Sequence, residues 1–149
     1  MAPIRSESDN GITPTLVIEA WHDPLIGSAG HDPRSAYANA FWLPILGPSS
    51  MAVARKLMEH IERHPDGSLV DVAELAASVG LPGKKADGGP GRNGRITSTL
   101  LRLHRFGLIQ LHPRPGQPNI CRVKVAWPPL TRAQAERLPM HVLEQLESA

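Results

Sequence analysis

The chain of 149 residues holds a single cysteine, Cys121, and no apolar run that approaches the roughly 18 residues of a membrane span. One cysteine excludes an internal disulfide and with it the secreted, cross-linked class of small scaffold, so a cytoplasmic location is expected. Residues 1–10 lack the basic region followed by an apolar core that a secretory signal needs, and the expected protein is soluble, with no membrane partner. Enzyme signatures are missing as well. The HIERH of residues 60–64 puts Glu62 at the third position, where a zinc-protease helix needs it at the second. The HDP triplets at 22–24 and 31–33 read as turn and cap signals. The glycine-rich GKKADGGPGRNG lacks the Gly-Lys-Ser/Thr ending of a phosphate-binding loop. A non-enzyme with no catalytic residue, metal or cofactor is the expectation.

Acid is the scarcest commodity of one region. From Lys84 to Lys124 there are nine basic residues against Asp87 alone, a net charge of +8, and from Arg92 to Lys124 there is no acid at all. The remainder carries seven basic and thirteen acidic residues, a net of −6, so the overall +2 conceals a polarised molecule. Such a distribution points to a polyanionic partner.

With 41% hydrophobic residues the chain has enough apolar material for one compact domain. Hydrophobic periodicity and turn residues divide it into a loose arm (1–14), an extension (15–47), a central domain (48–126) and C-terminal helices (127–149). The extension holds a strand at 15–21 and a helix at about 34–43, capped by Asp32 with Pro33 at its first position. Four of the six aromatics, Trp21, Tyr37, Phe41 and Trp42, fall in it, which marks a core plug or a subunit contact. In the central domain an amphipathic helix at 49–64 turns Val53, Ala54, Leu57, Met58 and Ile61 inward. A short helix at 72–79 follows, capped by Asp71 and stopped by Gly80, and then a loop at 81–94. A third helix at 95–106 starts near Asn93 as a candidate cap and ends at Gly107. Strands at 108–111 and 120–125 flank the tip HPRPGQPN and form a hairpin, with Cys121, Val123 and Val125 on its apolar face. Thr131 and Gln134 resemble a capping box for a helix reaching Leu138, and a last helix spans 140–146.

Helix, helix, loop, helix and hairpin in that order, carried by SMAVARKLMEHIERH, DVAELAASVG, NGRITSTLLRLHRFGLIQL and LIQLHPRPGQPNICRVKV, resemble the winged helix-turn-helix DNA-binding proteins. The segment HDPRSAYANAFWLPILGPSS is similar to one found in uncharacterised actinobacterial winged-helix proteins. The resemblance implies an α+β, mostly α fold with a recognition helix and a wing, and transcriptional regulation as the use.

The residues speak to the same chemistry. At about 100° per residue, Ile96, Leu100 and Leu103 share one side of the third helix, and Arg95, Ser98, Arg102 and Arg105 share the other. Guanidiniums read guanine O6 and N7, and a hydroxyl reads base or phosphate, so this face suits a major groove. Arg92 and the loop lysines Lys84 and Lys85 are candidate phosphate contacts. Arg114 at the hairpin tip, with Arg122 and Lys124 along one strand, could enter a minor groove or brace phosphates. The expected function is sequence-specific binding of double-stranded DNA, with the protein on the nucleoid when bound. A homodimer through the aromatic segment or the C-terminal helices is the expected assembly. The alternative is a winged-helix adaptor that docks protein partners without DNA specificity.

Overall fold

The residues TLVIEAW do more than precede a domain. In the structure, a computed structural model that describes residues 12–26, 29–81 and 94–148, they form strand β1 (Thr15–Trp21) inside the sheet. After β1 a π-helical stretch, Ala38–Trp42, runs directly into α1 (Leu43–Leu46). Then come α2 (Pro48–Arg63), β2 (Ser68–Asp71), α3 (Val72–Ser78), α4 (Arg95–Arg105), β3 (Ile109–His112), β4 (Asn119–Lys124), α5 (Arg132–Ala135) and α6 (Met140–Ser148). The architecture is α+β, about half of it helical, with a mixed sheet of order β2-β1-β4-β3. Among the described residues no helix is long and apolar enough to cross a membrane.

β1 pairs antiparallel with β2, in a register that sets Leu16 against Val70, and parallel with β4, which sets Ile18 against Cys121. The segment expected as an extension is therefore a central strand. Alternation explains its place: Leu16 and Ile18 are buried on the helix side, while Val17, Glu19 and Trp21 take the other face. β2 itself was not anticipated, since Ser68–Asp71 is too short to show a period and ends in the residue that caps the next helix. Asp71 does accept a hydrogen bond from the Glu74 amide at 2.9 Å, as a cap should.

The helices pack on the inner face of the sheet through α2 and α4. Met51, Val53, Ala54, Leu57, Met58 and Ile61 of α2 meet Ile96, Leu100 and Leu103 of α4 in one core. Trp42 and Trp127, both fully buried, sit edge to face within it, with ring centroids 5.6 Å apart. The aromatic segment is thus core material: Trp42 donates its indole N–H to the Pro128 carbonyl, and the Tyr37 hydroxyl accepts from the Leu130 amide.

Other expected boundaries move for local reasons. Asp32 caps no helix at 34; its carboxylate accepts from the Arg34 amide in a turn, and the Ser35 hydroxyl accepts from the Ala38 amide where the helical segment begins. The N-cap position of α4 is Gly94, extended at φ −66° and ψ 157°; Asn93, the expected cap, lies outside the described residues. The capping box of Thr131 and Gln134 is formed, but α5 ends at Ala135, short of Leu138.

Candidate nucleic-acid interface

α4 carries the face of arginines that the sequence singles out. Its core side is anchored by Ile96, Leu100 and Leu103, all with no exposed surface, and by buried Thr97 and Thr99. Gly107, at φ +72°, ends the helix in the left-handed conformation that a residue with a Cβ resists. With one side fixed, Arg95, Ser98, Arg102 and Arg105 are left on the exposed side, as the spacing requires.

Position does not make them equivalent. Arg95 and Arg105 form no ion pair among the described residues, and ten residues of helical rise set their Cα atoms about 15 Å apart. Between them, the Ser98 hydroxyl donates to the Arg95 carbonyl at 3.0 Å and keeps its lone pairs for an external donor. Arg102 is committed elsewhere. Its Nε donates to the Leu46 carbonyl at 2.9 Å and its Nη2 to the Ile45 carbonyl at 2.8 Å, with the guanidinium 5.5 Å from the Phe106 ring centroid. These carbonyls close α1, where the helix has no amides left to satisfy them. Arg102, expected to read bases, is thus held as a C-terminal cap on a neighbouring helix.

The hairpin requires the same correction. The Arg114 Nε and Nη2 both donate to the Pro118 carbonyl, at 2.9 and 2.6 Å, and the Arg114 amide donates to the Asn119 side chain. Instead of projecting from the tip, the side chain staples the turn in which it sits. The parallel register places Glu19 beside Arg122 and Trp21 beside Lys124. Arg122 approaches Glu19 at 3.8 Å; Lys124 pairs with Asp23 at 3.4 Å and lies 4.6 Å from the Trp21 ring centroid. With side chains only 12% and 15% exposed, the Lys124–Asp23 pair is an internal tie. The acids absent from residues 92–124 are brought by β1 and the turn after it, which only the sheet order reveals. Lys84, Lys85 and Arg92 lie outside the described residues.

No protein-family model matches the chain, and no curated protein matches it. A solved structure does match in fold: the crystal structure of primosome protein DnaB, residues 1–300, from Geobacillus stearothermophilus, with a TM-score of 0.57 at 17% identity. The match covers 90% of this chain and 49% of that one, so the chain spans about half the length of that structure. At this identity the likeness is one of fold.

What the geometry offers a ligand is narrower than the charge count implied. Arg95, Ser98 and Arg105 remain as an acid-free face on a rigid rod, and the hairpin beside it has turned its cations inward or paired them.

Proposed function

We propose that the chain is a double-stranded DNA-binding protein of winged-helix type, with α4 in the major groove and the β3–β4 hairpin beside it as the wing. The observation that carries this reading is the pair of exposed arginines, Arg95 and Arg105, unpaired among the described residues and flanking Ser98 on the anchored α4. A guanidinium in that position can take guanine O6 and N7 or a phosphate, and a rod fixed on its far side loses little freedom on docking. The likeness in fold to a primosome protein is in keeping with a role on nucleic acid. Sequence selectivity would make the protein a transcriptional regulator. As a homodimer it would join through α5 and α6, because the aromatic segment is spent on its own core.

Selection of bound sequences from a random duplex pool tests this reading, followed by anisotropy titration of the enriched site. A consensus is expected, with Arg95→Ala and Arg105→Ala each weakening it by about 1 to 3 kcal/mol if they read bases. Absence of enrichment, together with no binding of any duplex at about 10 µM protein in low salt, overturns it. One observation favours the adaptor reading: Lys124 is drawn inward by Asp23 and Glu19 stands beside Arg122 at the surface, leaving a face of mixed charge suited to a protein partner. Partner binding that ignores ionic strength would mark that use.

A further inference from the structure

A second site lies on the other side of α2 from its core stripe. Lys56, Glu59, His60 and Arg63 recur at i, i+3, i+4 and i+7 and so share one face of the helix. With the β2–α3 junction they line a groove of about 300 Å³, at the small end of the range for ligand pockets. The α2 side supplies the cations. The junction supplies Asp71 and Glu74, and buried Val70 and Leu75 give the groove an apolar lining.

The two sides carry opposite charge, yet no ion pair crosses between them. Lys56 binds Glu59 on its own helix at 3.5 Å, and the Asp71 carboxylate caps α3 through the Glu74 amide. Among the described residues Arg63 and the Glu74 carboxylate have no ionic partner. Arg63 and Glu74, opposite charges on the two sides of the recess, are each left without a counter-charge, and one molecule bearing both signs would satisfy them together. A polyanion would meet Glu59, Asp71 and Glu74, while a purely apolar ligand would strip water from both rims with no return. Burial keeps the His60 imidazole below its usual range, so at neutral pH it adds a hydrogen-bonding group to the cationic side without adding charge.

We infer that the α2–α3 groove binds an amino-acid-sized zwitterion, its carboxylate on Arg63, its ammonium on Asp71 and Glu74, and its side chain against Val70 and Leu75. This does not rest on DNA binding and holds or fails by itself.

The full chain, labelled with nitrogen-15, is titrated with each free L-amino acid to about 20 mM, and with the N-acetyl and primary-amide forms of each. At least one free amino acid should give saturable shifts confined to the amides of residues 56–63 and 70–78. Blocking either end should weaken binding at least about threefold, the worth of one partly exposed charge pair. Arg63→Gln and Glu74→Gln change exposed side chains and leave the core intact. The first should erase the preference for the acid over its amide, and the second should reduce the preference for the free amine over its N-acetyl form. No shift with any amino acid, equal binding of the blocked forms, or variants that keep the parent's preferences would overturn the inference.

Discussion

Arg102 is the residue at which sequence spacing and physical role part company. Its position on the outward side of α4 was legible from Ile96, Leu100 and Leu103, because helical periodicity states which side a residue occupies. What a long side chain meets on that side depends on a second element. Here it is the end of α1, whose carbonyls at Ile45 and Leu46 no local signal would have placed within reach. Arg102→Ala should therefore lower stability by about 1 kcal/mol, because two charge-assisted bonds are lost at a site that water can partly repair. Arg102→Lys should recover little of it, since one ammonium lacks the fork that spans two carbonyls. Thermal unfolding of the three proteins measures this. An unchanged melting curve together with lost DNA selectivity would return Arg102 to base reading. Cys121 was legible to the end: on the apolar strand face, where sequence placed it, burial pushes its thiol up to about 12, so no thiolate is available for chemistry.

At the scale of elements, α2, α3, α4 and the hairpin were legible because each has a period, a cap or a turn of its own. β1 was seen as a strand but not as a central one, because strand order is a property of pairs. The consequence is testable. Residues 48–126 alone, the domain that sequence marks out, would leave β2 and β4 facing a gap and would expose the cluster that Leu16, Ile18 and Trp42 complete. That fragment should unfold without a cooperative transition, whereas the full chain should show one; a sharp transition in the fragment would mean that β2 and β4 close directly on each other. The N-terminal segment is also tied to α2 by charge. Arg34 donates to Glu62 through both terminal nitrogens at 2.7 Å and to Asp32 at 3.1 Å, and these bonds hold both carboxyls below their usual 3.8 and 4.5. Groups lowered on folding stabilise above their ordinary values and lose that effect as the pH falls through the folded ones. The stability gap between the parent and Arg34→Gln should thus be level from about pH 6 upward and close progressively below about pH 4.5, as followed by denaturant melts. A gap that persists at about pH 2 would show that Arg34 acts by packing alone.

For the whole molecule, the question is how much of the +8 carried by residues 84–124 any polyanion can feel. Part of it already has a partner: Lys124 pairs with Asp23 in the interior and Arg122 with Glu19 at the surface, while Arg114 keeps its charge but is turned onto the Pro118 carbonyl. A cation that already has a carboxylate partner releases no counterion from DNA unless that partner is first given up, so it adds little to the salt dependence of binding. Arg95 and Arg105, unpaired among the described residues, add their full share. On a random duplex the double variant Arg95→Ala/Arg105→Ala should make the slope of log K against log salt shallower by about 2, each phosphate contact being worth roughly 0.9. Lys124→Met should change that slope by less than about 0.5, and its cost should appear as lost stability, because Asp23 is left with its partner removed. Anisotropy titrations between about 50 and 200 mM salt separate the two outcomes. If Lys124→Met changes the slope as much as either arginine does, the tie to Asp23 opens on binding and the hairpin grips phosphate after all. If the double variant changes nothing, DNA does not lie on α4.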